Sequence, residues 1–122
     1  MAIVLEPLRP EEAHTFWQVF IRGRTDLPQV SAAMHLDRYL AMKPEDQWTY
    51  VAAKLDERII GCLRLTPGSI QSFAMDPDDR GHAREVVRKA IDLVVGDAPN
   101  VTATYEDIYR DVFGVYRDPA WI

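Results

Sequence analysis

The stretch "IQSFAMDPDDRGHAREVVRKAIDLVV", Ile70 to Val95, decides how this chain is read. It opens as a short apolar run, Ile70 to Met75, then passes through Asp76-Pro77 into an Asp-Asp-Arg-Gly-His turn. Beyond the turn Ala83, Val86, Val87, Ala90, Ile91 and Val94 recur at helical spacing, so the pattern predicts strand, turn and long amphipathic helix. A helix start leaves its first backbone N–H groups without intrahelical partners, and the helix dipole adds partial positive charge there. Phosphate binds at such ends for these two reasons. Here Pro77 ends the strand, Gly81 allows a ligand to approach the backbone, and Arg80, Arg84 and Arg88 stand four apart. The alternative is a helix start capped by Asp78 or Asp79, with the arginines on a solvated face. The turn by itself leaves both open.

Working outward, Trp48 to Leu55 and Arg58 to Leu65 read as two strands joined by a tight Asp56-Glu57 turn. The "TPGS" signal at Thr66 to Ser69 leads into the Ile70 to Met75 strand, which completes a three-strand meander. Upstream, Ile3 to Leu8 is a short strand. Pro10 with Glu11 and Glu12 then suits the start of a helix carrying Ala13, Phe16, Trp17, Phe20 and Ile21 on one stripe. Ser31 is the expected N-cap of a second helix carrying Ala33, Leu36 and Leu40 and ending before Pro44. Downstream, Gly96 to Pro99 stops the long helix, Asn100 to Tyr105 reads as a strand, and "EDIYRDVFG" as a short last helix. The order β-α-α-β-β-β-α-β-α predicts an α+β fold with a mixed sheet. The connection from Met75 through the long helix to Val101 is expected to be a right-handed crossover.

At 122 residues the chain is expected to form one domain, residues 1–122, with a core of its own. A formal charge of −5 and the lack of a basic, aromatic-interleaved stripe argue against nucleic acid as a partner. No apolar run reaches transmembrane length, and the N-terminus lacks the charged and apolar regions of a signal peptide, so no membrane association is expected. The single cysteine, Cys62, excludes an intramolecular disulfide and a cysteine metal cluster. Flanked by Gly61 and Leu63 in a strand, it is expected to be a small buried hydrophobe. A cytoplasmic location and no metal are the expectation.

The element order together with the turn resembles the GNAT superfamily of acyl-CoA-dependent N-acetyltransferases. The resemblance runs from Ile3 to about Gly114 and is strongest over "YVAAKLDERIIGCLRLTPGSIQSFAMDPDDRGHAREVVRKAIDLV". In that family an [Arg/Gln]-x-x-Gly-x-[Gly/Ala] loop opens the helix and holds the coenzyme A pyrophosphate, while the preceding strand pairs with the pantetheine arm. The resemblance therefore implies coenzyme A, with acetyl-CoA as donor. Phe73, Ala74 and Met75 would lie along pantetheine, and Arg80, Gly81, His82, Ala83, Arg84 and Glu85 would lie at the pyrophosphate. Ala83 stands where the family has its first glycine, and Glu85 where it has the final Gly or Ala. A second register puts Gly81 and Ala83 at those two positions and Asp78 in place of the cation. Both registers stand.

The resemblance implies direct attack of an amine, from a small molecule or a peptide, on a thioester. A base neutralises the amine, an acid protonates the leaving thiolate, and a backbone N–H polarises the carbonyl. Tyr109, in "YRDVFGV", resembles the family's Tyr-x-x-x-Gly-Phe ending with one extra residue before Gly114, and is the candidate acid; Tyr105 and Tyr116 are alternates. No base is singled out. His14 and His35 lie on the first two helices, and His82 is a phosphate-side contact in this scheme. Trp17, Trp48 and Trp121 are expected to serve packing, with Trp48 at a strand start where substrate can stack. Only "VYRDPAWI" follows the last helix, in place of the family's terminal hairpin, which implies an exposed sheet edge and pairing into a homodimer. The competing expectation is a non-catalytic GNAT-fold module that binds coenzyme A and a protein partner.

Overall fold

The structure is a computed structural model and describes residues 2–24, 31–66 and 69–95. In chain order these form β1 (Ile3–Pro7), a 3-10 turn (Pro10–Glu12), α1 (Ala13–Gly23), α2 (Ala32–Ala41) and a one-turn α3 (Pro44–Gln47). There follow β2 (Tyr50–Leu55), β3 (Arg58–Thr66), β4 (Ser69–Met75), a second 3-10 segment (Pro77–His82) and α4 (Ala83–Val95). The four strands make one antiparallel sheet in the order β1-β2-β3-β4. The architecture is α+β. The strand expected over Asn100 to Tyr105, the last helix and the crossover fall outside the described residues, as do Tyr105, Tyr109, Tyr116 and Trp121.

Both faces of the sheet are covered, which explains why β2 and β3 read as nearly unbroken apolar runs. On one face Ile3, Val51, Ala53, Ile60, Leu63, Phe73 and Met75 pack under the α4 stripe of Ala83, Val86, Val87, Ala90, Ile91 and Val94. All six residues of that stripe are buried, as their spacing predicts. Each of its valines and its isoleucine contributes about 2 kcal/mol of hydrophobic burial. On the other face Tyr50, Ala52, Ile59, Cys62 and Ala74 meet Phe16, Trp17, Val19 and Phe20 of α1 and Tyr39 of α2.

The β2–β3 hairpin turns on Asp56 and Glu57, both with positive φ (52° and 69°) as two-residue hairpin loops require. One register shift interrupts it: Ala53 faces Gly61 and Lys54 faces Ile59, so Ile60 is the extra residue of a bulge. Ser31 caps α2 by accepting the Met34 N–H. No helix among the described residues is long and apolar enough to cross a membrane.

Three sequence expectations need correction. Of Ala33, Leu36 and Leu40 on α2, only Leu36 packs inward: Ala33 is exposed, Leu40 is 53% exposed, and Tyr39 is the fully buried residue. Aromatic contacts decide this rotation. Tyr39 meets Tyr50 edge-on and donates its hydroxyl to the Leu8 carbonyl, and His35 stacks on Trp17. Second, Trp48 is not packed and not in a strand. It lies in the turn after α3, 69% exposed, and β2 begins at Tyr50. Third, the α1 stripe includes Val19, while Ile21 is only partly buried.

Candidate functional site

The candidate site is the junction where β4 hands over to α4. Phe73, Ala74 and Met75 are buried and pair with Leu63, Cys62 and Gly61 of β3. Their side chains alternate, Phe73 and Met75 toward α4 and Ala74 toward α1, as the two-residue period of a strand dictates. The Phe73 carbonyl accepts from the Arg24 guanidinium at 3.4 Å. The end of α1 abuts the end of β4, where Gly23 lies against the Met75 main chain.

The chain then turns sharply. Asp76 keeps the strand pairing for one more residue, its N–H donating to the Ile60 carbonyl at 2.8 Å. Its carboxylate accepts from the Asp78 N–H at 3.0 Å, and its carbonyl accepts from the Asp79 N–H at 2.9 Å. Asp76 is thus the cap, and neither Asp78 nor Asp79 holds that role. Arg80, Gly81 and His82 belong to the 3-10 segment, and Ala83, Arg84 and Glu85 form the first turn of α4. A kink at Asp79 (φ −116°, ψ 18°) separates two helical runs within the 3-10 segment. The Ala83 N–H donates to the Arg80 carbonyl, so that amide is already spoken for.

The structure thus brings the expected residues into one turn but divides them by depth. Ala83 is buried against the sheet, Arg80 and His82 are half-buried, and Gly81, Arg84 and Glu85 are exposed. A β-carbon added at Gly81 would meet nothing within 4 Å, so the main chain there is open to approach. Arg84 and Arg88 are exposed on α4, while Arg80 sits on the preceding 3-10 turn.

Two long-range ion pairs, invisible to sequence spacing, hold this turn. Arg22 at the end of α1 binds the Asp76 carboxylate at 2.6 Å. Arg58 at the start of β3 grips Asp79 with both terminal nitrogens, at 2.7 and 3.0 Å. The Asp79 hydrogen bond, then its charge, hold the Arg58 guanidinium above its ordinary pKa. Arg22, Arg58 and Asp76 also line a cleft of about 340 Å³ between α1 and the start of β3, floored by Val19 and Ile59. No local signal in the sequence marks Arg22 or Arg58.

The other candidates lie elsewhere. His14 is exposed on α1. His35 is stacked on Trp17 with ring centroids 5.1 Å apart and meets Phe20 edge-on. Burial, and then the Arg38 charge, hold its pKa below the ordinary histidine value. Cys62 is fully buried, its thiol donating to the Phe16 carbonyl at 3.1 Å; burial first, then Asp76, push its pKa well up. It is the small buried hydrophobe its position predicts. Among the described residues no group of three or more His, Cys, Asp and Glu is arranged to hold a metal ion.

The α+β architecture has a solved counterpart. The chain is similar to apo-form YjaB from Escherichia coli, whose solution structure it matches with a TM-score of 0.60 at 21% identity. The match covers 95% of this chain and 80% of that one, and at this identity it speaks for the fold alone. No family model matches the chain, and no curated protein does.

Proposed function

We propose that the chain is a GNAT-like acyl-CoA-dependent N-acyltransferase, moving an acetyl group from acetyl-CoA to a primary amine. The observation that carries the reading is Gly81. It is exposed, with open space where a side chain would stand, between Arg80 and Arg84 and at the point where β4 gives way to α4. Three features there support a place for an anionic pyrophosphate: a backbone without a side chain in the way, a helix N-terminus, and cationic neighbours. Phe73, Ala74 and Met75 would flank pantetheine, and Arg80 to Glu85 would hold the pyrophosphate. In the reaction the amine nitrogen attacks the thioester carbonyl carbon, the C–S bond breaks, and the thiolate takes a proton, for which Tyr109 is the assigned donor. A homodimer belongs to this reading and is tested by the mass of the protein in solution.

A second reading is a non-catalytic GNAT-fold module that binds a protein partner and coenzyme A without turnover. It asks less of a turn in which the N–H groups of Asp78, Asp79 and Ala83 are already bonded and Glu85 adds a carboxylate. Free thiol released from acetyl-CoA in the presence of a panel of primary amines separates the two. Amine-dependent release that falls at least about tenfold in Tyr109→Phe supports the enzyme. Saturable coenzyme A binding with no release supports the module. Neither binding nor release removes both.

A further inference from the structure

Three of the four residues from Asp76 to Asp79 are aspartates, placed where the proposed pyrophosphate would approach. Left alone they would satisfy the positive helix end themselves and repel a second anion. The Asp76 and Asp79 side chains are only 11% and 8% exposed, so water cannot screen them well. Their guanidinium partners come from two different elements, Arg22 from α1 and Arg58 from β3, and each arginine side chain is 57% exposed. The pairs do two things. They pin the turn to the sheet and to α1, and they cancel two of its three negative charges.

We propose that Arg22 and Arg58 are positioning residues for an anion at the start of α4, acting by neutralising Asp76 and Asp79 in the turn that carries Gly81. The proposal rests on the coenzyme A reading above and adds to it a charge requirement that the turn residues themselves do not show. Neither arginine is asked to touch the ligand.

The test compares affinities for coenzyme A and for pantetheine, which lacks the phosphates, in the wild type and in Arg58→Gln, Asp79→Asn and the double variant. Titrations are run at low salt and at a temperature where circular dichroism shows each variant folded. Arg58→Gln leaves the Asp79 charge uncompensated and is expected to weaken coenzyme A binding about tenfold, with pantetheine unchanged. Asp79→Asn removes the charge and is expected to bind coenzyme A at least as tightly as wild type. The double variant is expected to recover to within about threefold of wild type, and the Arg58→Gln defect to shrink at high salt. Should Arg58→Gln not fold, Arg58→Lys keeps the charge without the fork and is expected to bind within about threefold of wild type. Equal losses in Arg58→Gln and Asp79→Asn would mean a purely structural pair and overturn the proposal, as would unchanged affinity in Arg58→Gln or a loss in Arg58→Lys. No binding by the wild type removes the coenzyme A reading itself, and this proposal with it.

Discussion

Gly23, the last residue of α1, lies against the main chain of Met75, the last residue of β4: an added β-carbon would overlap the Met75 carbonyl oxygen and sit 3.1 Å from its N and C atoms. That contact brings Arg22 into reach of Asp76 and fixes where the turn to α4 begins. Gly23→Ala must therefore push the helix off the strand and is expected to cost about 1–3 kcal/mol, read as a lower denaturation midpoint. Gly81→Ala, with nothing within 4 Å of the new carbon, is expected to stay within about 0.5 kcal/mol of wild type.

Lys54 is 3% exposed at the hairpin bulge and is bridged by Glu12 and by Glu6, the latter at 3.0 Å. Burial lowers its pKa, but the hydrogen bonds to Glu12 and Glu6 outweigh that and leave it raised. Glu12 mirrors it: burial pushes its carboxyl up, while Arg9 and Lys54 bring it below the ordinary value. Lys54→Met leaves Glu12 with Arg9 alone and is expected to lose about 2 kcal/mol at pH 7. Because Glu12 is depressed in the folded state, its contribution is present above the ordinary glutamate pKa and fades as pH falls through the folded value. The variant's deficit should narrow below about pH 4, measured by urea denaturation across pH.

His35 binds α2 to α1 as a neutral ring against Trp17. With its folded pKa depressed, the unfolded chain takes up the proton more readily. The stability it contributes is therefore full above about pH 6.5 and is lost as pH falls toward the folded value. Thermal scans from pH 7.5 to 5 should show the wild type losing midpoint relative to His35→Phe, which keeps an aromatic ring and cannot titrate. Parallel curves would refute this.

Cys62 is sealed between the sheet and α1, with its thiol bonded to Phe16 and its pKa well above the free value. A thiolate-directed disulfide reagent should leave it unreacted in the native protein and titrate one thiol per chain in denaturant. Rapid native labelling would mean that α1 opens from the sheet.

Much of this was legible in the sequence because it is periodic or local. The 3.6-residue repeat gave α4 its buried face, alternation and a two-residue turn gave the hairpin, and Pro77 marked the strand end. Contacts between distant residues were not legible. Arg22 and Asp76 are 54 positions apart and Arg58 and Asp79 are 21 apart, so nothing in their neighbourhoods announces either pair. On α2, aliphatic spacing does not predict the inward turn of His35 and Tyr39 beside Leu36, because their rings answer a facing surface of Trp17, Phe20 and Tyr50 that lies far off in sequence. The cap also lies earlier than the Asp78 or Asp79 alternative: Asp76, before the proline, accepts the Asp78 N–H.

The central claim is that the junction from Asp76 to Glu85 receives a pyrophosphate, and isothermal titration with acetyl-CoA and with free coenzyme A tests it most directly. Saturable binding of both by the wild-type protein is expected, with its loss in Gly81→Glu, which puts a carboxylate into the open space over the turn. No heat and no thermal stabilisation at millimolar ligand, or binding that Gly81→Glu retains in full, would contradict it.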